Sequence, residues 1–168
     1  MICMNTTMNN TTRVQIKFFG DKKNINAVLN WIKGDYSNVC IDFNRIRSAP
    51  CNIYDGHSEN KDACERIRYN WAMENWGTGY NAFNSCFNEN NNSLTFDVVG
   101  NFPKQIIEGV VLIGVYNNVK MLGRWASNHK GCNTGYFAPD YNKADCLGDI
   151  RYNDCSSVAY KTYAMLYE

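Results

Sequence analysis

Residues 13–18 alternate without a break: Val14, Ile16 and Phe18 are apolar, while Arg13, Gln15 and Lys17 are polar. A period of two specifies a strand buried on one face, and Gly20-Asp21 ends it. The period then changes. Ile25, Val28, Leu29 and Ile32 recur at i, i+3, i+4 and i+7, with Asp21 placed to cap the first turn and Gly34 to end the last. A half-buried strand running directly into an amphipathic helix sets the class, because both apolar faces are buried by laying helices on a sheet.

Further elements follow the same signals. A second strand is expected over residues 40–47, with Ile41, Phe43 and Ile46 apolar and Pro50 closing it. After a turn-rich loop, a helix is predicted from about Lys61 to Asn75, stacking Cys64, Ile67 and Trp71 on one face. Gly77-Thr78-Gly79-Tyr80-Asn81 breaks that helix. A hairpin comes next, over 82–88 and 93–99, with Phe83, Ser85 and Phe87 opposing Leu94, Phe96 and Val98 across an Asn-rich turn. Pro103 opens a helix whose apolar face is Ile106, Ile107, Val110 and Ile113. Strands near 117–126 and 133–138 precede a final helix over 155–167, with Val158, Ala159, Thr162, Met165 and Leu166 on one side.

The order β-α-β, helical insertion, β-β-α-β-β and helix describes an α+β sandwich of ferredoxin-like type. It would be an antiparallel or mixed sheet with helices packed on one face plus a C-terminal helix. Residues 1–12, rich in Asn, Thr and Met without periodicity, read as a disordered leader, and 13–168 as one domain.

Charge and cysteine usage narrow the partners. Seventeen Lys and Arg against sixteen Asp and Glu leave a net charge of +1, too small a global field to draw in duplex nucleic acid. The eight cysteines never fall into C-x-x-C or a similarly tight spacing, so neither a metal nor a cofactor is expected. The N-terminus lacks the charged-then-apolar pattern of a secretory signal, and no apolar stretch approaches a membrane span. The expected compartment is therefore the cytoplasm, with reduced thiols acting as small buried hydrophobes.

Three segments carry a family resemblance. They are Ile41-Asp42-Phe43-Asn44-Arg45-Ile46 with Pro50; W-A-M-E-N-W-G-T-G-Y-N-A from Trp71; and Gly131-Cys132-Asn133-Thr134-Gly135-Tyr136. Together they resemble the YubB-like proteins of plasmids and bacteriophages, whose second motif reads W-x-x-x-N-W-G-T-K-W-N-A. The family's Lys-Trp is Gly79-Tyr80 here, and its aromatic-Ser-Pro-Pro helix entry is Gly100-Asn101-Phe102-Pro103. The resemblance implies a ferredoxin-like domain and a place among accessory genes of mobile elements, and it implies no catalytic activity.

The strongest local candidate for chemistry is the segment holding Trp71, Glu74, Asn75, Trp76, Gly77, Thr78, Gly79, Tyr80 and Asn81, where aromatic rings and amides meet a glycine-rich break. Rings beside fixed amides suit stacking and edge recognition of a base or a partner loop. The plainer reading is that the glycines permit a turn and the tryptophans plug the core. Arg45 and Arg47 flank the second expected strand, and Arg13 and Lys17 share a face of the first, so a modestly basic sheet face is a second candidate. It lacks the aromatic pattern of RNA-recognition modules. His57 with Cys51, His129 with Cys132, Asp42 with Glu74, and Asp140 with Asp145 make no convincing catalytic set.

These features lead to a non-enzymatic accessory binding protein of a phage or plasmid. It would occupy a host protein or sequester a small nucleotide-like ligand, as an anti-CRISPR-like or signal-sponge counter-defence factor. Two alternatives stand beside it: a module binding RNA or single strands through Arg13, Lys17, Arg45 and Arg47, and an NAD- or nucleotide-directed enzyme centred on residues 71–81 with Glu74 as its acid.

Overall fold

The computed structural model describes residues 10–50, 61–144 and 146–168. Along the chain these form β1 (Thr11–Phe19), α1 (Lys22–Ile32), α2 (Phe43–Ile46), α3 (Lys61–Trp76), β2 (Phe83–Asn88), β3 (Ser93–Val99), α4 (Lys104–Tyr116), β4 (Lys120–Ser127), β5 (Gly135–Pro139), β6 (Leu147–Arg151) and α5 (Ser157–Tyr167). The strands make one open six-stranded sheet in the order β2-β3-β1-β4-β5-β6, with every neighbouring pair antiparallel. No helix among the described residues is long and apolar enough to cross a membrane.

β1 is the central element. Its register opposes Val14 to Phe96 on one side and to Trp125 on the other, and Ile16 to Leu94 and Gly123. Val14, Ile16 and Phe18 are completely buried, as the alternation requires, and they meet α1 through Ile25, Val28 and Ile32 and α4 through Ile106, Ile107 and Val110. The strand begins at Thr11, two residues before the start expected from its pattern. Under β4 and β5 the Phe102 ring stacks on Trp125 at 4.0 Å between centroids and tilts against Phe137 at 5.5 Å.

The opposite face of β1 carries Arg13, Gln15 and Lys17. Arg13 grips Asp97 of β3 through two bonds, Nε to Oδ1 at 2.7 Å and Nη2 to Oδ2 at 3.0 Å. The Asp97 side chain is almost fully buried, so removing the guanidinium would leave a desolvated carboxylate and cost about 3–5 kcal/mol. Helix α5 covers this pair: Arg13 Nη1 donates to the Leu166 carbonyl, the Tyr167 ring lies 4.7 Å from the guanidinium, and the Tyr167 hydroxyl donates to the Ala126 carbonyl at 3.1 Å. One helix therefore packs across the face opposite α1 and α4.

Several expectations need correction. Residues 40–47 are not a strand. The Asp42 carboxylate accepts from Asn44 N–H at 3.0 Å and so caps the short helix α2, a local bond that outcompetes pairing. Arg45 lies in α2 and Arg47 at its end, so neither belongs to the sheet face that carries Lys17. In α3 the expected stripe fails at Ile67, which is more than half exposed, because among its described side chains this helix buries only Ala72 and Trp76, near its C-terminal end. The hairpin pairs Phe87 with Leu94 as expected, but Asn84 at φ +50° forms a bulge that sets Phe83 opposite Asp97. Strand β6 was not anticipated. In α5, Ala159, Thr162 and Leu166 are buried, whereas Val158 and Met165 face solvent.

The Tyr167 hydroxyl is pushed up to about 12 by burial first and by the Asp97 charge second. The folded protein thus holds this proton at a pH where the unfolded chain, titrating near 10, has released it. Stability should be intact below about pH 10 and fall between about pH 10 and pH 12. Urea unfolding at the two ends of that range should show the loss, and Tyr167→Phe should reduce it.

Candidate functional site

The segment from Trp71 to Asn81 leaves the end of α3 and crosses behind α2. Trp76 is 3 % exposed, and its Nε1 donates to the Arg47 carbonyl at 2.9 Å. Its ring meets Phe43 and Trp71 edge-on at 5.7 and 5.5 Å, and Phe43 in turn meets Phe96 at 6.0 Å. This aromatic chain joins the inserted helices to the sheet. Thr78 is buried and donates through Oγ1 to the Val99 carbonyl at 2.7 Å, tying the loop to the end of β3.

Asn81 is the keystone of the segment. Its Oδ1 accepts from the backbone N–H groups of Phe43 at 3.0 Å and Ala82 at 2.9 Å, and its Nδ2 donates to Asp42 Oδ1 at 2.7 Å. The same Asp42 oxygen caps α2. One amide therefore fixes both the start of α2 and the approach to β2. Asn75 donates to the Trp71 carbonyl at 2.9 Å, and Arg47 donates to the Asn75 carbonyl at 3.3 Å.

The glycines have separate reasons. Gly77 adopts φ +80°, where a side chain is strained, and a Cβ there would also lie 2.6 Å from Gln105 Oε1. Gly79 is held against the Tyr69 ring, which occupies the place a Cβ would take. Tyr69 then stacks edge-on with Tyr80 at 5.6 Å.

Turned outward from this segment are Glu74 and Tyr80, both exposed. Tyr80 borders a cleft of about 230 Å³ with Arg68, Trp76 and Asn81, while Arg45 borders another of about 490 Å³ with Asn30, Trp31 and Ser48. Asn44 lines both. The residues singled out from the sequence are thus brought to one region but divided by α2, and the polar atoms of Trp76, Thr78 and Asn81 are spent on backbone partners and the Asp42 carboxylate. Of the other candidates, His129 is exposed and is joined to Cys132 by a backbone turn, Cys132 N–H to His129 C=O at 3.0 Å. Asp42 is committed to Asn81 and Asn44, away from an acid role with Glu74. Cys51, His57 and Asp145 lie outside the described residues.

A second region emerges only from the register. Gln15, Lys17 and Phe19 of β1 stand opposite Arg124, Leu122 and Lys120 of β4, and Tyr136 of β5 stands opposite Arg124. These side chains share the face that α5 covers at its other end. Arg124 is braced by Gln15 Oε1 at 2.7 and 2.9 Å and by the Met165 sulfur of α5. Lys17 Nζ lies 5.6 Å from the centre of the Phe19 ring. Two recesses adjoin at Leu122: one of about 160 Å³ bordered by Lys17, Arg124 and Tyr136, and one of about 500 Å³ bordered by Phe19, Lys120, Pro139 and Tyr141. Among the described residues, neither Lys17 nor Lys120 has a carboxylate within ion-pair distance. Lys17 was legible as part of a basic face; Lys120, Arg124 and Tyr136 were not, because only strand pairing places them beside it.

Among the described residues no group of three or more His, Cys, Asp and Glu side chains is placed to hold a metal ion. No family model matches the chain, and no curated protein or solved structure matches it either.

If Asn81 is a structural clamp, Asn81→Ala strands two backbone donors and should cost about 2–4 kcal/mol in urea unfolding. A ligand-contacting Asn81 with no structural duty would leave stability unchanged.

Proposed function

We propose that the chain is a non-catalytic binding protein that takes single-stranded nucleic acid on the half of its sheet that α5 leaves open. The observation that supports this most is the gathering of Lys17, Lys120 and Arg124 with Phe19, Tyr136 and Tyr141 along two adjoining recesses. Cations spaced among flat rings match a strand whose phosphates need neutralising and whose bases need stacking surfaces. The two recesses favour an oligonucleotide over a single nucleotide, since a mononucleotide fills one and leaves the other empty. Occupation of a host protein, and an enzyme centred on residues 71–81, are the competing readings. The commitment of Trp76, Thr78 and Asn81 to backbone partners weighs against the second.

The wider setting belongs to the same proposal. The connectivity β1-α1-β2-β3-α4-β4, with its first and third strands adjacent, supports a ferredoxin-like unit into which α2 and α3 are inserted and to which β5, β6 and α5 are appended. The YubB-like resemblance supports a role as an accessory protein of phages or plasmids in the host cytoplasm, where single-stranded intermediates of host or mobile-element metabolism would be natural ligands.

With three cations at the surface, log K against log salt should fall with a slope of about −2, shallower than for a strongly basic binder. Fluorescence anisotropy with labelled RNA and DNA oligomers should show Phe19→Ala and Tyr141→Ala each losing affinity about fivefold or more, and Lys17→Glu flattening the slope. Binding that ignores these substitutions, or no binding of any oligomer at tens of micromolar, would remove the proposal. Retention of a mononucleotide alone would transfer it to ligand sequestration.

A further inference from the structure

The loop after β4 and the segment joining β6 to α5 run side by side. Tyr152 N–H donates to the Thr134 carbonyl at 2.9 Å, Asn133 N–H to the Asp154 carboxylate at 3.0 Å, and Cys155 N–H to the Gly131 carbonyl at 2.8 Å. Cys132 follows Gly131 directly, so the last bond holds the Cα atoms of Cys132 and Cys155 within about 7 Å of one another, the reach of a disulfide. The side chains stand close as well, since burial first and then the neighbouring Asp154 and Cys155 raise the Cys132 thiol, and Cys155 raises the Tyr160 hydroxyl of α5. Both cysteines are free thiols; Cys155 is exposed and Cys132 half-buried.

We infer that Cys132 and Cys155 are an oxidisable pair, closed into a disulfide by exchange with a small-molecule disulfide of the glutathione type. Cys155, the more accessible of the two, loses its proton to solvent and attacks one sulfur of the reagent. The reagent's S–S bond breaks, and one glutathione leaves as a thiolate. Cys132 then releases its proton and attacks the Cys155 sulfur of the mixed disulfide, expelling the second glutathione. Two protein thiols are oxidised to one disulfide while one reagent disulfide is reduced to two thiols, so electrons and protons balance.

The bond has a definite mechanical consequence. Cys155 immediately precedes Ser156, whose Oγ accepts from Ala159 N–H at 3.2 Å and caps α5. Closing the disulfide rivets the start of α5 to the β4–β5 loop and holds that helix over the Arg13–Asp97 pair. The inference stands independently of the ligand proposed for the open face.

The test is incubation of the full chain with oxidised glutathione at mildly alkaline pH, alkylation of residual thiols, and peptide mapping without reduction. A Cys132–Cys155 cross-linked peptide, two hydrogens lighter than its parts and at least tenfold more abundant than any other protein disulfide, is expected. Cys132→Ser should stop at a single glutathione adduct on Cys155, and its circular dichroism should match that of the parent. Persistent free thiols at both positions, adducts without closure in the parent protein, or pairing of either cysteine with another partner would each overturn the inference.

Discussion

β1 is hydrogen-bonded along both edges, to β3 and β4, for almost its whole length. A strand in that position has no free edge, so its side chains alone decide what lies above and below the sheet. The upper row, Val14, Ile16 and Phe18, nucleates the core with α1 and α4. The lower row must satisfy two demands at once: Arg13 is neutralised by Asp97 and roofed by Tyr167, while Lys17 and Phe19 stay open to solvent. Slipping the register by one residue would exchange the two rows, burying Arg13, Gln15 and Lys17 among the helices. The core and the exposed basic-aromatic surface are therefore consequences of the same pairing.

The inserted segment shows how the residue types of a binding site also serve as scaffold. Tryptophans, amides and glycines at 71–81 have the chemistry of base recognition, yet the amide of Asn81 bonds two backbone donors and Asp42, and the indole of Trp76 reaches the Arg47 carbonyl. A buried backbone N–H left unpaired costs about 1–3 kcal/mol, so an amide holding two of them is not available for a ligand without a comparable loss. The inserted helices α2 and α3 are held to the sheet by this clamp and by the Trp76–Phe43–Phe96 ring contacts.

What was legible in the sequence follows from the range of each signal. The alternation of β1 and the i, i+3, i+4 pattern of α1 are local, and both elements form where expected. Residues 40–47 also alternate, with Ile41 and Phe43 fully buried, but burial of every second residue does not require a strand, and a carboxylate two residues from a backbone donor turned them into a helix start. The bulge at Asn84 was invisible because it depends on Asp97, whose carboxylate receives both Arg13 and Asn84. The candidate site was half legible for the same reason. Lys17 announces itself by alternation, whereas Arg124 and Tyr136 reach it only through antiparallel registers across three strands.

The location of the binding surface is what most separates this account from its competitors. A 4-thiouridine-containing oligonucleotide, cross-linked by light to the full chain and mapped by mass spectrometry, reports it directly. The account predicts adducts in the peptides bearing Lys17–Phe19, Lys120–Arg124 and Tyr136–Tyr141. Adducts concentrated in residues 61–81, or no adduct above that of a denatured control, would contradict it.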